Sequence, residues 1–448
     1  MAEMLLFGAG ASVEGLVPDS NKMTERIVEE FGKANHPKRH IDVINFVIGG
    51  LLFKKGIQGE NPLNAGVNVE ELFNAVQLLS ERNTLEAAPF IGSWHSMIEE
   101  LDKIEAPELQ LGRLHRAIYE SVLKSILAAL PRNPPSFGGR DIDRSLQSAI
   151  KKSVEALVKN RSISFGSSES VGKEVGEYVV EITRKWIEQI RSSPSSSYEF
   201  EREFTKALDR KERSGEGRIF AEINNAMIRA LIDIVWIEDA TRFEYLLPIL
   251  NTLKTQKKLT VATLNYDNGI EKLAALKNIP CKTGIEDWEN SGKFEMGSEG
   301  LSLLKLHGSI DWLYASAVTD AKRMPFFLLQ IVPEKPKFMQ DFMPAVIFGQ
   351  KNKLTAEGPF LDLLRTFQQE LVNIDRLTIV GYSFGDPHIN VYLSQWLNRD
   401  PGNQMRIVDP FFNNNPREYA VQLRSLASKQ IQIFPLKAGE GLAQLYPA

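Results

Sequence analysis

The sequence contains little of several residue types, and each shortage excludes a class of protein. Cysteine occurs once in 448 residues, at Cys281, so the chain can form no internal disulfide and no metal site made of cysteines alone. No run of about 18 apolar residues occurs, and no transmembrane helix is therefore predicted. A formal net charge of −4 argues against a surface that coats nucleic acid.

The amino terminus and the bulk composition are those of an ordinary globular protein. Residues Met1 to Met4 lack the basic flank and the long apolar core of a secretory signal peptide. The chain has 43% hydrophobic and 25% charged residues, which is typical of a folded soluble protein. A single cysteine is also compatible with a reducing compartment, so we expect a cytoplasmic protein. The length of 448 residues predicts about two to three domains.

Short apolar runs are concentrated toward the two ends of the chain, and several of them are continuous. Such runs are typical of strands that are covered by helices on both faces, as in parallel sheets. With helical patterns between some of them, they predict an α/β fold with a doubly wound, mostly parallel, Rossmann-like sheet. The predicted strands are Met4–Phe7, Leu259–Leu264, Leu303–Leu306, Ala345–Phe348, Leu377–Val380, Met405–Val408 and Ile431–Phe434.

The middle of the chain has a different pattern, since its apolar residues recur at helical spacing. Ile223, Met227, Leu231 and Val235 lie on one face of a predicted helix, and the segment Val69–Val76 begins another. We therefore predict a core formed by residues 1–80 and 255–448. Residues 81–254 would be a large helical insertion that serves as a lid, an oligomerisation surface or a docking surface for a partner.

Polar residues stand directly after several of the predicted strands. In open α/β sheets, ligands bind beyond the carboxyl ends of the strands, so we expect these residues to meet at one crevice. A glycine-spaced turn also lets a backbone approach an anion closely. The segments are Gly8–Ser12, Thr263–Asp267, His307-Gly308, Gly381–Asn390 and Asp409-Pro410.

Each segment also has a purely structural interpretation. Asn265 and Asp267 could cap the helix that follows them, because both residue types are favoured at that position. His307 could be a turn histidine that is satisfied by the backbone. The remaining residues could form turns, namely Gly381 with Ser383 as a cap, and Asp409 before Pro410.

Taken in order, the segments resemble the sirtuin (silent information regulator two) superfamily of NAD-binding proteins. The matching pattern there is Gly-Ala-Gly-x-Ser with a downstream Pro-Asp, then Thr-x-Asn-x-Asp, His-Gly and Gly-x-Ser. Val69–Phe73 and Gly381–Asn390 look more specifically like the bacterial sirtuin-like branch found in anti-phage defence proteins. The resemblance covers roughly residues 1–80 and 255–437, and the helical middle carries no matching motif.

The resemblance implies a role for each matching residue. Asn265 would hold a ribose hydroxyl and the attacking water, and His307 would act as the general base. Asp386 and His388 belong to the branch pattern but receive no role from it. The residues expected to bind NAD are Gly8, Ala9, Gly10, Ser12, Asp19, Thr263, Asp267, Gly381, Ser383 and Asp409.

Two departures from the protein deacylases of this superfamily narrow the expected reaction. Their zinc module needs four cysteines, so no metal cofactor is expected in a chain with Cys281 alone. Ser20-Asn21-Lys22 also replaces the Phe-Arg of the deacylase cofactor loop. The resemblance therefore implies an NAD⁺ glycohydrolase, which releases nicotinamide and ADP-ribose and depletes NAD in an infected cell.

An NADase of this kind must be gated, and the resemblance implies how. A partner would sense the phage, and the partners known in the family are a translocase-type ATPase, a short Argonaute or a nucleotide-processing enzyme. Alternatively, the chain would be activated by homo-oligomerisation. Nucleic acid would be contacted only through a partner, and no membrane is involved.

Three rival functions follow from the same residues. A non-catalytic module that senses NAD, ADP-ribose or a nucleotide would keep the glycine turns but would not need both Asn265 and His307, so their joint presence argues against it. A deacylase or ADP-ribosyltransferase would need the peptide groove that the zinc module shapes. A plain Rossmann dehydrogenase is excluded because Val13 stands where the third glycine of its fingerprint would fall.

Overall fold

The structure is a computed structural model that describes residues 2–33, 37–62, 66–91, 93–102, 218–315, 328–335, 344–347, 359–415, 417–426 and 430–447. The chain divides into two compact units. The first comprises Met1–Gln77, Glu222–Ala317 and Pro325–Ala448. The second comprises Leu78–Ala221 and Val318–Met324.

The first unit is built on a parallel sheet of seven strands, as the sequence predicted. The strands of the described residues, in chain order, are β1 (Glu3–Phe7), β2 (Lys258–Thr263), β3 (Cys281–Lys282), β4 (Gly300–Lys305), β5 (Gly308–Ala315), β6 (Leu328–Ile331), β7 (Pro344–Val346), β8 (Arg376–Val380), β9 (Gln404–Val408) and β10 (Ile431–Phe434). The order across the large sheet is β10-β9-β8-β1-β2-β4-β3, and every neighbouring pair is parallel.

The central strands are buried on both faces, which explains their unbroken apolar sequences. In β1, Met4 and Leu6 face one side of the sheet and Leu5 and Phe7 face the other, and none of the four is more than 1% exposed. The face of Met4 and Leu6 packs in a core cluster with alternate residues of β2, β4, β8 and β9. The continuous apolar run is thus the signature of a strand between two helical layers.

One predicted strand belongs to a different sheet. The run Ala345–Phe348 was expected in the parallel sheet, but β7 lies with β5 and β6 in a small antiparallel sheet of order β6-β5-β7. A four-residue apolar run has no feature that selects between two sheets, so the sequence could not place it. Phe348 itself lies outside the described residues.

Helices cover the sheet and connect its strands. Those that the structure describes are α1 (Ser20–Gly32), α2 (Lys38–Ile57), α3 (Val69–Ser80), α4 (Ser96–Asp102), α5 (Arg218–Val235), α6 (Leu247–Asn251), α7 (Gly269–Leu276), α8 (Ile285–Ser291), α9 (Phe360–Val372), α10 (Pro387–Arg399), α11 (Glu418–Leu426) and α12 (Ala438–Leu445). Short 3-10 helices include Ala9–Gly15 and Ala240–Leu246. None of the described helices is long and apolar enough to cross a membrane.

The two helices that the sequence predicted are present, and one begins with a clear local signal. The predicted helix through Ile223 is α5, and the one that starts at Val69 is α3. The Asn68 carboxamide oxygen accepts from the backbone N–H of Glu70, and Glu71 accepts from the N–H of Asn68. This reciprocal pair is a capping box, and it determines where α3 starts.

The second unit is described only in part. It includes the 3-10 helix Ala88–Phe90, the helix α4 and the guanidinium of Arg82, which lies 5.7 Å from the ring centre of Phe220. Residues 103–217 lie outside the described part of the chain. The predicted helical insertion over 81–254 therefore stays a prediction.

The sheet reverses its direction of growth at β1. From β1 the chain adds β2, β4 and β3 on one side, and later β8, β9 and β10 on the other. Between two such halves, the connections diverge and leave a crevice at the carboxyl ends of the strands. The turns after β1 and β8 lie at this position.

Candidate active site

A cleft of about 940 Å³ lies at the carboxyl ends of the parallel strands. It is lined by the turns that follow β1, β2, β8 and β9, by His307 after β4, and by the starts of α1 and α3. Among the sequence-predicted site residues, those that line it are Gly8, Ala9, Gly10, Ser12, Asp19, Asn265, Asp267, His307, Gly381, Ser383 and Asp409. The predicted residues therefore meet at one place, as the strand-end argument required.

The two glycine turns pack directly against each other. Gly8 donates its N–H to Val380 O at 2.9 Å, and Gly10 donates to Gly381 O at 2.8 Å. A Cβ at Gly8 would lie 2.6 Å from the Cα of Tyr382, and one at Gly10 would lie 2.8 Å from the Cα of Gly381. Glycine is therefore required at both positions by the neighbouring backbone, which the motif alone did not reveal.

Asn265 is held over the glycine turn by its side-chain amide. Its Nδ2 donates to Gly8 O at 3.0 Å and to Ser12 Oγ at 2.8 Å. Its backbone N–H donates to the hydroxyl of Thr263 at 3.1 Å. Thr263 is buried and is not among the cleft-lining residues. Its hydroxyl instead helps to position the backbone of Asn265, which does line the cleft.

Asp267 and Ser12 complete a chain of hydrogen bonds from Asn265. The Ser12 hydroxyl accepts from Asn265 and donates its one proton to Asp267 Oδ2 at 2.8 Å. The other Asp267 oxygen accepts from the N–H of Gly269, the first residue of α7, at 3.0 Å. The N-cap of α7 is Asn268, so neither Asn265 nor Asp267 occupies the capping position, although Asp267 still bonds the first N–H group of the helix. Burial raises the pKa of Asp267, against the lowering effect of Lys305.

His307 lies between carboxylates that two distant segments supply. Its Nε2 is 3.0 Å from Asp386 Oδ2, and its Nδ1 is 3.9 Å from Glu70 Oε1. The His307 and Asp386 side chains are each only 5% exposed. The ring centre lies 6.3 Å from that of Tyr266. The imidazole therefore contacts side-chain carboxylates, and the plain turn interpretation does not account for it.

Gly308 explains why a glycine follows this histidine. Its φ is +79°, and a Cβ there would lie 1.9 Å from Ala345 O. The strand β4 ends at Lys305, and the turn at His307-Gly308 redirects the chain into β5 of the small sheet. The backbone carbonyl of His307 accepts from Ile347 N at 3.0 Å, which ties this turn to the small sheet.

The remaining predicted residues also have local hydrogen-bonding roles. Asp19 is the N-cap of α1, and its carboxylate accepts from the N–H groups of Asn21 and Lys22. Asp409 accepts from the N–H of Phe411 at 2.7 Å, which is the turn that its sequence indicated, and burial raises its pKa. The cap of α10 is Asp386 and not Ser383.

Several cleft residues were not predicted from the sequence. Glu70 and Tyr266 line the cleft beside His307, and the Tyr266 hydroxyl lies 3.3 Å from Glu70 Oε1. Burial, together with the charge of Glu70, raises the pKa of Tyr266. Three basic residues also line the cleft. Lys22 lies in α1, Arg417 precedes α11, and Lys437 precedes α12. A basic residue alone carries no signal that it faces a cleft.

No metal-binding group is found within the described residues, since no three His, Cys, Asp or Glu side chains there are placed to hold an ion. Residues 259–434 match the family model of the SIR2-like domain. A solved structure described as a Sir2 homolog in complex with NAD is similar to this chain, with 17% sequence identity and a TM-score of 0.29. That likeness covers 51% of this chain and 73% of the other. No curated protein matches the sequence.

Proposed function

We propose that this chain, which carries a SIR2-like domain over residues 259–434, hydrolyses NAD⁺ to nicotinamide and ADP-ribose. One observation carries the proposal. Asn265 and His307, which follow neighbouring strands, line the same cleft as the Gly8–Ser12 turn. A module that only bound a dinucleotide would need the turn but not this pair of side chains.

The cleft suits a dinucleotide in charge and in size. Its volume of about 940 Å³ is at the upper end of the range for small-molecule and cofactor sites. The turn after β1 begins the 3-10 helix Ala9–Gly15, so its backbone can approach a pyrophosphate. Lys22, Arg417 and Lys437 supply positive charge around the same space. The pyrophosphate would lie at the Gly8–Gly10 turn.

Asn265 would hold a hydroxyl group of the substrate through its oxygen atom. Both Nδ2 protons are donated within the protein, to Gly8 O and Ser12 Oγ. The group that this amide presents to a ligand is therefore Oδ1, which is an acceptor. An acceptor suits a ribose hydroxyl or the attacking water.

His307 would act as the general base. The bond that breaks joins the ribose carbon to the nitrogen of nicotinamide, and the electron pair leaves with nicotinamide. Because that leaving group departs from a cationic pyridinium, it needs no general acid. Water adds its oxygen to the ribose carbon, and the proton it loses is taken up by His307. A positioned general base typically contributes a factor of about 10² to 10⁴ in rate.

The biological role follows from the same activity. A chain that consumes NAD would deplete the cell that contains it. We therefore propose a cytoplasmic effector of anti-phage abortive infection, gated by a protein partner or by homo-oligomerisation. The partner would be a translocase-type ATPase, a short Argonaute or a nucleotide-processing enzyme.

The test is nicotinamide release from NAD⁺ by the purified chain, measured at several protein concentrations. His307→Ala and Asn265→Ala should each lower turnover by at least about 100-fold without lowering the unfolding temperature by more than a few degrees. His388→Ala is the matched control, since this histidine lies in the first turn of α10, next to Asp386, but is not among the cleft-lining residues. It should retain wild-type turnover.

The outcomes separate the candidate functions. Turnover that is unchanged in His307→Ala and Asn265→Ala contradicts the assigned roles. An inactive wild-type chain that NAD⁺ still protects against thermal unfolding is either an enzyme that awaits its partner or the non-catalytic sensing module, and release of nicotinamide on addition of a co-purifying partner separates the two. A steep rise of specific activity with protein concentration supports activation by self-assembly. Neither release nor protection would reject NAD⁺ as the ligand.

A further inference from the structure

We propose that Asp386 is the positioning residue of His307. It would hold the imidazole with a proton on Nε2, so that Nδ1 is the atom that takes up the proton in the reaction. This inference rests on the proposed hydrolysis of NAD⁺, and it assigns a role to a residue of the Gly381–Asn390 motif that had none.

The chemistry of the contact between Asp386 and His307 determines which ring nitrogen carries the proton. Asp386 Oδ2 lies 3.0 Å from His307 Nε2. An ionised carboxylate can only accept hydrogen bonds, so the proton of this bond belongs to Nε2. In a neutral imidazole one nitrogen carries the proton and the other is the acceptor, which makes Nδ1 the basic atom.

The two carboxylate oxygens of Asp386 bond different groups. Oδ1 accepts from the backbone N–H of His388 at 3.0 Å and of Ile389 at 3.5 Å, which caps α10. Oδ2 is left for His307. The cap fixes the direction of the side chain, so the rigid start of a helix aims Oδ2 at the ring.

The loop before α10 is held in place by hydrogen bonds between its own residues and the first turns of the helix. The Tyr382 hydroxyl accepts from Asp386 N at 3.0 Å and lies 3.0 Å from Asn390 Oδ1. Asn390 Nδ2 donates to Phe384 O at 3.0 Å. Phe384 has a φ of +58°, a value that a bulky residue adopts only where its surroundings impose it. The motif residues thus hold Asp386 at a fixed place.

The contact with Asp386 would stabilise the positive charge that His307 gains when it takes up a proton. When Nδ1 accepts a proton, the imidazole becomes a cation in a site where it is almost wholly buried. Among the described residues, the groups near the ring include Asp386 at Nε2, Glu70 at Nδ1 and the Tyr266 ring. Asp386 makes the shortest of these contacts, so its carboxylate should stabilise the cation most.

The decisive variant is Asp386→Asn. Asparagine caps a helix about as well as aspartate, so α10 should keep its start. Its amide can donate to Nε2, however, and this favours the tautomer with the proton on Nδ1. Turnover should fall by at least about 100-fold. Asp239→Asn is the matched control, because Asp239 caps the 3-10 helix Ala240–Leu246 outside the cleft lining.

A second readout makes the test independent of activity. Nitrogen-15 chemical shifts of labelled histidine rings report the tautomer directly, and comparison with His307→Gln assigns the signals. We expect the Nε2-protonated form in the wild type, its loss in Asp386→Asn and its retention in Asp239→Asn. Protection by NAD⁺ against thermal unfolding should persist in all three.

Two results would overturn the inference. One is a wild-type His307 with its proton on Nδ1. The other is an Asp386→Asn variant that keeps wild-type turnover, whatever its tautomer. If instead the wild type releases no nicotinamide at any protein concentration while the ring signals behave as expected, hydrolysis by the isolated chain is rejected and the positioning of His307 by Asp386 stands.

Discussion

Two clusters at the end of β4 pair one basic side chain with carboxylates, and they differ in their access to the cleft. The Lys305 cluster consists of Lys305, Glu271 and Asp311. The His307 cluster consists of His307, Asp386 and Glu70. Both basic side chains are almost fully buried. Of the described residues, all three members of the His307 cluster line the cleft and no member of the Lys305 cluster does.

The Lys305 cluster makes hydrogen bonds within the protein that hold neighbouring segments together. Lys305 Nζ donates to the backbone O of Asp267 at 2.5 Å and to Glu271 Oε1 at 2.7 Å. Burial opposes the charge of Lys305, but the carboxylates of Glu271, Asp311 and Asp267 outweigh this effect and raise its pKa. The cluster thereby anchors the Asp267 loop through its backbone, and none of the three residues of the cluster lines the cleft.

Since the Lys305 cluster and the His307 cluster are both buried and both contain paired charges, these two properties alone do not identify an active site. Burial raises the pKa of Glu271 to about 7, a shift of the kind often used to locate catalytic groups. Glu271 is nevertheless not among the described residues that line the cleft, and Lys305 links it to the cleft-lining Asp267. Access to the cleft separates the two clusters, and the variants below test that separation.

The largest effect is expected from Lys305→Met. The substitution leaves the Glu271 carboxylate and the Asp267 carbonyl without their buried cation. Breaking a buried ion pair in this way costs about 3–5 kcal/mol of unfolding free energy. Urea unfolding measures it directly, and the folded fraction should retain any NAD⁺ turnover.

Lys258→Met is the control for that variant. Lys258 pairs with Glu370 at 3.4 Å, and the two side chains are 32% and 24% exposed. An ion pair of this kind contributes about 1 kcal/mol or less. If Lys305→Met costs no more than Lys258→Met, the Lys305 cluster does not anchor the Asp267 loop.

The sequence could predict the strand ends but not the contacts between their side chains. Apolar runs predicted β1, β2 and β8, because strands buried on both faces leave little choice of residue. The runs that predicted β9 and β10 are interrupted by Arg406 and Gln432, and these strands are less buried. The side-chain partner of His307 could not be predicted in this way. Asp386 lies 79 positions away, and no local pattern links the two.

Other parts of the site were hidden from sequence reasoning for similar reasons. The glycines at Gly8 and Gly10 are explained by a turn that comes from the far end of the chain, at Gly381. Glu70 reads as an ordinary residue in the first turn of a helix. The small antiparallel sheet was missed because the segment that becomes β5 interleaves polar residues such as Ser309 and Asp311 with its apolar ones.

A smaller effect on the Lys305 cluster is expected from pH. The ordinary pKa of a glutamate is 4.5, and in the folded chain that of Glu271 is raised to about 7. Between these values the folded state binds more protons than the unfolded state. The unfolding free energy should therefore fall as pH rises from about 4.5 to about 7, by up to about 3 kcal/mol from this group.

Glu271→Gln should remove this part of the pH dependence, since glutamine does not titrate but can still accept from Lys305. The measurement is the urea midpoint across that pH range. Glu244→Gln is the control, because Glu244 pairs with Lys277 at 2.7 Å on an exposed surface. Identical pH profiles for Glu271→Gln and the wild type would show that folding does not raise the pKa of Glu271.

The smallest effect is expected from Glu70→Gln, which tests whether the His307 cluster has one dominant carboxylate. Glu70 Oε1 lies 3.9 Å from Nδ1, too far for a direct hydrogen bond, so its stabilisation of the imidazolium is a charge effect alone. Turnover of NAD⁺ should fall about tenfold or less, well below the loss in Asp386→Asn.

Glu71→Gln is the matched control for this variant, because Glu71 lies on the same turn of α3 but pairs with Lys55 at 3.1 Å and is not among the cleft-lining residues. Glutamine also serves in a capping box, so α3 should be unaffected. A loss in Glu70→Gln as large as that in Asp386→Asn would mean that the two carboxylates share the charge of His307. The Nε2 contact would then no longer explain the direction of proton transfer by itself, because Glu70 would be stabilising the proton at Nδ1.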